Sequence, residues 1–190
     1  TDPMANEWAV AGAKIVILGV KPAYILELAQ SVSHALDPDA IVVSVAAGIT
    51  TAQLEGVVSN PVVRSMPNTP AQIQQGVTGL AAGSRASADH VAEVSAVFEL
   101  VGDVVVVKED DINVLSALSG SGPAYLFYVA EKMMDVAVSH GFNAEQARTM
   151  VQGTLLGAAA LLDVSGDTPE QLRRAVTSPG GTTEQAIAVF

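Results

Sequence analysis

Short runs rich in β-branched residues alternate with helical stretches over the first 107 residues, and this alternation stops abruptly. Lys14-Ile-Val-Ile-Leu-Gly-Val20 and Ile41-Val-Val-Ser-Val-Ala46 are apolar throughout, the pattern of strands buried on both faces. Pro22 suits the first turn of the helix between them, where a missing N–H costs nothing; Ile25, Leu28, Ala29 and Val32 share one face of it. Thr50-x-x-Gln53 caps a short helix, and Val62 to Ser65, Thr78 to Ala82 and Val104 to Val107 read as further strands, with a helix over Ala88–Val101. Strand and helix in this rhythm predict βαβ units in a largely parallel sheet. Beyond Asp110-Asp111 the pattern is helical: Ile112 to Leu118, Pro123 to His140, Ala144 to Asp163 and Pro169 to Val176. The expected fold class is α/β, a partial Rossmann-like parallel sheet over 1–110, followed by an all-α domain over 111–190.

Charge and composition narrow the partners. A net charge of −11 argues against nucleic acid, since phosphate contacts need clustered Lys and Arg. The charge-poor stretch near Thr149 to Leu162 is too short to cross a bilayer, so no membrane role is expected. With no cysteine, and with His34, His90 and His140 far apart, no metal site is expected. The Ala144–Asp163 helix carries Met150, Val151, Leu155, Ala158, Ala159 and Leu162, and its small residues Gly153, Gly157 and Ala160 admit a close neighbour. A domain of about eighty residues hides such a helix poorly. A second copy in a symmetric homodimer is the expected cover.

Two kinds of loop can carry chemistry. Ser178-Pro-Gly-Gly-Thr-Thr183 precedes Glu184-Gln-Ala-Ile187, with Thr182-x-x-Gln185 spaced as a capping box. Bare N–H groups and the positive helix end make it a seat for a carboxylate or phosphate, with hydroxyls from Ser178, Thr182 and Thr183; read alone, it is equally a linker before a capped helix. Val20-Lys21-Pro22, Ala46-Ala47-Gly48 and Met66 to Pro70 follow predicted strands, where open α/β sheets bind ligands. Each of these, taken alone, is also an ordinary turn.

Five motifs stand in order: Gly19-Val-Lys-Pro22, Val45-Ala-Ala-Gly-Ile-Thr50, Arg64-Ser-Met-Pro-Asn-Thr-Pro70, Leu118-Ser-Gly-Ser-Gly-Pro-Ala-Tyr125 and Ser178-Pro-Gly-Gly-Thr-Thr183. Together they resemble pyrroline-5-carboxylate reductase, from about Ala9 to Phe190. The resemblance implies reduction of the cyclic imine pyrroline-5-carboxylate to L-proline with NADPH or NADH, in a cytoplasmic homodimer or a larger ring of dimers. It implies cofactor contact at Gly19, Val20, Lys21, Pro22, Ala46, Ala47 and Gly48, with Pro67 and Asn68 near the nicotinamide. It implies substrate binding at Ser178, Gly180, Gly181, Thr182 and Thr183, and catalytic roles for Thr183 and for Ser116, where the family often has threonine. The imine can bind already protonated, so the protein's task is orientation.

A dinucleotide fold should open with strand, Gly-x-Gly-x-x-Gly, helix. No such stretch precedes Lys14, and Gly120-Ser-Gly122 has no strand before it. The expectation is a truncated reductase lacking its N-terminal dinucleotide-binding βαβ unit, inactive alone, its NAD or NADP preference hidden with that unit. Two other readings stay open: another imine or β-hydroxyacid dehydrogenase, which needs a cationic side chain or catalytic lysine facing the substrate, Lys132 being the only lysine in the helical half, and a non-catalytic dimerisation module.

Overall fold

The computed structural model describes residues 4–189, and the chain divides into two compact units, Thr1–Tyr125 and Leu126–Phe190. The first unit runs α1 (Ala5–Val10), β1 (Ile15–Leu18), α2 (Pro22–Val32), β2 (Ile41–Ser44), α3 (Thr51–Glu55), β3 (Val62–Met66), β4 (Gly76–Ala82), α4 (Ala88–Phe98), β5 (Gly102–Val106) and α5 (Ile112–Leu115). The strands lie in chain order, β1-β2-β3-β4-β5. Pairs β1·β2, β2·β3 and β4·β5 are parallel, whereas β3·β4 is antiparallel, so the sheet is mixed. The link from Pro67 to Gln75 explains the reversal: a parallel crossover needs about a dozen residues or more, and this one makes only a 3-10 turn, Thr69–Ile73.

Alternation along β2 shows why the strands read as continuous apolar runs. Val42 packs on one face with Val16, Leu18, Ile25, Val32 and Leu54, under α1, α2 and α3. Ile41 and Val43 point the other way, toward Val63, Leu80, Val91, Val94 and Phe98 of the α4 layer. Burial on both faces stabilises by about 1.5–3 kcal/mol for each large aliphatic side chain. A third cluster joins Met66 and Ala81 to Ile112, with Leu115 against it. Gly79 makes that contact possible, because a Cβ there would lie 2.5 Å from a Leu115 methyl. Leu115 therefore rests directly on β4, and the residue after it is Ser116.

From Ser116 to Gly120 the chain forms a π turn, closed by the Ser121 N–H donating to the Ser116 carbonyl at 2.8 Å. The helix expected over Ile112–Leu118 thus changes type after Leu115. Helix α6 (Gly122–Ser139) follows, with Pro123 in its first turn.

In the second unit α6 continues, followed by α7 (Ala144–Val164), α8 (Pro169–Ala175) and α9 (Thr182–Ile187). Asn143 with Gln146, and Thr168 with Gln171, form reciprocal capping boxes at α7 and α8. Very little of the apolar surface is covered: Ala147 and Val151 are buried, while Phe127, Tyr128, Leu156 and Val164 are each more than half exposed. No helix among the described residues is long and apolar enough to cross a membrane.

Candidate active site

Three of the sequence-marked loops leave the carboxyl ends of neighbouring parallel strands and so share one edge of the sheet. After β1 come Gly19, Val20, Lys21 and Pro22, all exposed, with Lys21 as N-cap and Pro22 opening α2. After β2, Ala46 is buried while Ala47 and Gly48 are exposed, and Gly48 holds φ +76°. Buried hydroxyls set this loop: Ser44 Oγ accepts from the Ala46 N–H at 3.2 Å, and Ser65 Oγ donates to the Ser44 carbonyl at 3.1 Å. After β3, Pro67 and Asn68 are half-buried. The exposed backbone of these loops, bare at Gly19 and Gly48, suits a flat, uncharged ring lying across the strand ends.

Beneath the loops lies a charge pair that the motif reading did not isolate. Arg64 on β3 is 2% exposed, and its Nη1 donates to Glu109 Oε1 at 2.7 Å. The same oxygen faces the Thr51 N–H at 3.4 Å. Arg64 Nε and Nη2 and Glu109 Oε2 have no hydrogen-bond partner among the described residues. Glu109 opens the 3-10 turn Glu109–Asp111 that leads into α5, so the pair anchors the approach to Ser116. Ser116 itself is half-buried at the start of the π turn, facing Gly120 and near Met66. Such turns frequently interrupt helices at functional sites.

In the second unit, Ser178-Pro179-Gly180-Gly181 forms a tight turn, with the Gly181 N–H donating to the Ser178 carbonyl at 3.0 Å. Pro at the second place and Gly180 at φ +71° in the third make the type II pattern. The capping box expected from Thr182 and Gln185 is not formed. Gly181 is the N-cap and has no side chain to offer, so Thr182 and Thr183 become the first two helical residues. Glu184, third in the helix, reaches back instead, its Oε2 accepting from the Gly180 N–H at 2.7 Å. The N–H groups of Thr182 and Thr183 have no intrahelical acceptor, as at any helix start. The same segment carries the hydroxyl residues Ser178, Thr182 and Thr183, of which Thr183 is half-buried. The turn thus presents uncharged donors, which suits a carboxylate.

Lys132, the cation a different dehydrogenase chemistry would call on, is engaged elsewhere. Its Nζ lies 2.6 Å from Glu131 and 3.0 Å from Asp135, and 5.5 Å from the centre of the Tyr128 ring. The hydrogen bond to Glu131, then that to Asp135, holds the ammonium charged well above the usual lysine range. Both carboxylates hold the ammonium on its own helix surface. Lys132→Met is expected to change kcat/KM for imine reduction less than twofold; a tenfold loss in a steady-state assay would return Lys132 to the site.

Bare loops at the parallel strand ends give the sheet the ligand-binding edge of open α/β folds, and its class is that of a nicotinamide-linked oxidoreductase: a family model described as NADP oxidoreductase, coenzyme F420-dependent, matches residues 1–48. A second model, for pyrroline-5-carboxylate reductase dimerisation, matches residues 109–190. The pyrroline-5-carboxylate reductase of Pseudomonas aeruginosa is 41% identical over 189 residues, spanning 98% of this chain and 69% of the relative. That of Escherichia coli is 34% identical over 180 residues, spanning 94% and 67%. Among solved structures, a Coxiella burnetii pyrroline-5-carboxylate reductase superposes with TM-score 0.86 at 38% identity, covering 97% of this chain and 70% of the other. The Plasmodium falciparum pyrroline carboxylate reductase with NADP bound gives TM-score 0.89 at 26% identity, covering 97% and 71%. The chain belongs to the pyrroline-5-carboxylate reductase family.

Proposed function

We propose that the protein reduces 1-pyrroline-5-carboxylate to L-proline with NADPH or NADH, the last step of proline synthesis. The turn at Ser178–Thr183 supports this reading: two N–H groups open at the start of α9, in a segment that also carries three hydroxyl residues, offer uncharged donors to a small amino acid's carboxylate. Ser178, Gly180, Gly181, Thr182 and Thr183 hold that carboxylate, and the Gly180 N–H becomes free for it once Glu184 swings aside. Gly19 to Pro22 and Ala46 to Gly48 line the cofactor, Pro67 and Asn68 face its nicotinamide end, and Ser116 stands toward the imine nitrogen. The reduced nicotinamide supplies hydride. The substrate enters as its protonated imine, so the hydride forms the new C–H bond while the C=N π pair settles on nitrogen, and no further proton is required at that step.

Orientation is then the protein's main contribution. Pinning the carboxylate fixes the angle and distance at which the C=N carbon meets the nicotinamide face, an effect worth up to about 7–11 kcal/mol. The test is NADPH or NADH oxidation by the full-length protein with pyrroline-5-carboxylate. Turnover is expected with at least one cofactor, and its absence with both would overturn the reading.

We further propose that the substrate-binding and dimerisation half begins near residue 110, that the working unit is a homodimer in the cytoplasm, and that a ring would be built from such dimers. The exposed apolar residues of α6 and α7 support the dimer. Leu156, 72% exposed on α7, is the residue to test. Leu156→Glu is expected to convert a sedimenting dimer into a monomer, and a wild-type protein sedimenting as a monomer at micromolar concentration would overturn the assembly.

A further inference from the structure

Two prolines leave two backbone groups without partners, and one side chain meets both. Strand β3 ends at Met66, which pairs with Gly79, and Pro67 follows. Continuing that register places Asn68 opposite Val77, yet the ladder has stopped and Val77 has lost its strand neighbour on this side. Asn68 Oδ1 accepts from the Val77 N–H at 2.9 Å, standing in for the missing strand carbonyl. At the other end of the amide, Nδ2 donates to the Ser119 carbonyl at 3.0 Å. In a regular helix that carbonyl would receive the N–H of the fourth residue on, which here is Pro123 and has none. Ser119 belongs to the π turn, and its own hydroxyl turns back to the Leu115 carbonyl at 3.0 Å.

We propose that Asn68 is a positioning residue that fixes the π turn Ser116–Gly120 against the strand-end loop at Pro67. Its amide is a strut between the loop assigned to the nicotinamide and the turn that carries Ser116, which otherwise meet through Leu115 on Gly79 and through Met66. Both polar ends of the side chain are engaged within the chain, so Asn68 acts through Ser116 and Pro67. The catalytic consequence rests on the reductase reading above, whereas the mechanical one does not.

Two measurements on the full-length protein separate them. Asn68→Asp keeps an oxygen for Val77 and loses the donor to Ser119. It is expected to lower kcat at least fivefold while the KM for the reduced cofactor stays within threefold. A smaller fall, or a loss carried by KM, would overturn the proposal, the latter making Asn68 a cofactor ligand. Amide hydrogen exchange by NMR gives the mechanical readout. In Asn68→Ala the Ser121 N–H, which closes the π turn, is expected to exchange at least tenfold faster, while Val42 and Val43 of β2 keep their wild-type rates. Unchanged exchange at Ser121 would overturn the proposal. If the alanine variant also loses protection at Val42 and Val43, the same exchange comparison is made on Asn68→Asp. A wild-type protein without reductase activity would sink the proposed function, and the exchange result would still decide the role of Asn68.

Discussion

Glu109→Ala is expected to lower the unfolding free energy by about 3 kcal/mol, because it strands the Arg64 guanidinium inside the protein with no counter-charge. Arg64 is almost wholly covered, and among the described residues the bond from Nη1 to Glu109 is its side chain's sole hydrogen bond, Nε and Nη2 having no partner. Breaking one side of such a pair costs far more than the pair contributes, since the remaining ion keeps its desolvation penalty. For a chain of this length the melting temperature should drop by about 6–12 °C. The double replacement Arg64→Met with Glu109→Leu removes both ions, and it is expected to return to within about 1 kcal/mol of the wild type. Thermal unfolding followed by circular dichroism decides it. A single variant within about 1 °C of wild type would mean that water or a shifted neighbour already satisfies Arg64.

The second large effect concerns the reaction. Thr183→Ala is expected to reduce kcat/KM for pyrroline-5-carboxylate in the full-length enzyme by about 10- to 150-fold. A hydrogen bond to a charged group contributes about 1.5–3 kcal/mol, which converts to that range. Thr183 is half-buried at the second position of α9, where its hydroxyl and backbone N–H both lie at the open end of the helix. Serine keeps the hydroxyl, so Thr183→Ser should retain most of the activity. Steady-state kinetics showing a loss below twofold for the alanine variant would remove Thr183 from the substrate site.

How much of this was legible in the sequence depended on the range of the interaction. The strands at the centre of the sheet announced themselves because β2 and β3 are buried on both faces, which demands runs such as Ile41-Val-Val and Val62-Val63, whereas β1 and β5 leave Ile17, Val105 and Val106 exposed. The turn at Ser178 was legible because Pro179-Gly180 leaves the backbone few choices. Its helix start was read one residue late: Thr182 has the right chemistry for an N-cap, but Gly180 and Gly181 bring the chain into helix earlier. Helix α1 went unread, since Ala5–Val10 buries only Val10 and shows no apolar stripe. The reversal of β4 follows from the length of one loop, information a strand-by-strand reading passes over. The π turn leaves no periodic trace, because an i to i+5 bond needs no special side chain. Asn68 and Arg64 could be marked as motif members, but their partners Ser119 and Glu109 lie 51 and 45 residues further along the chain. No local pattern encodes such a pairing.

The bare flanks of α6 and α7 make folding of the second unit a matter of mass action. With Phe127, Tyr128, Leu156 and Val164 open to water in a single copy, the helical unit gains its stability from association, so its melting point must climb with protein concentration. Dilution would then melt the helical unit by dissociation alone, while the first unit, with its own buried sheet, stays intact.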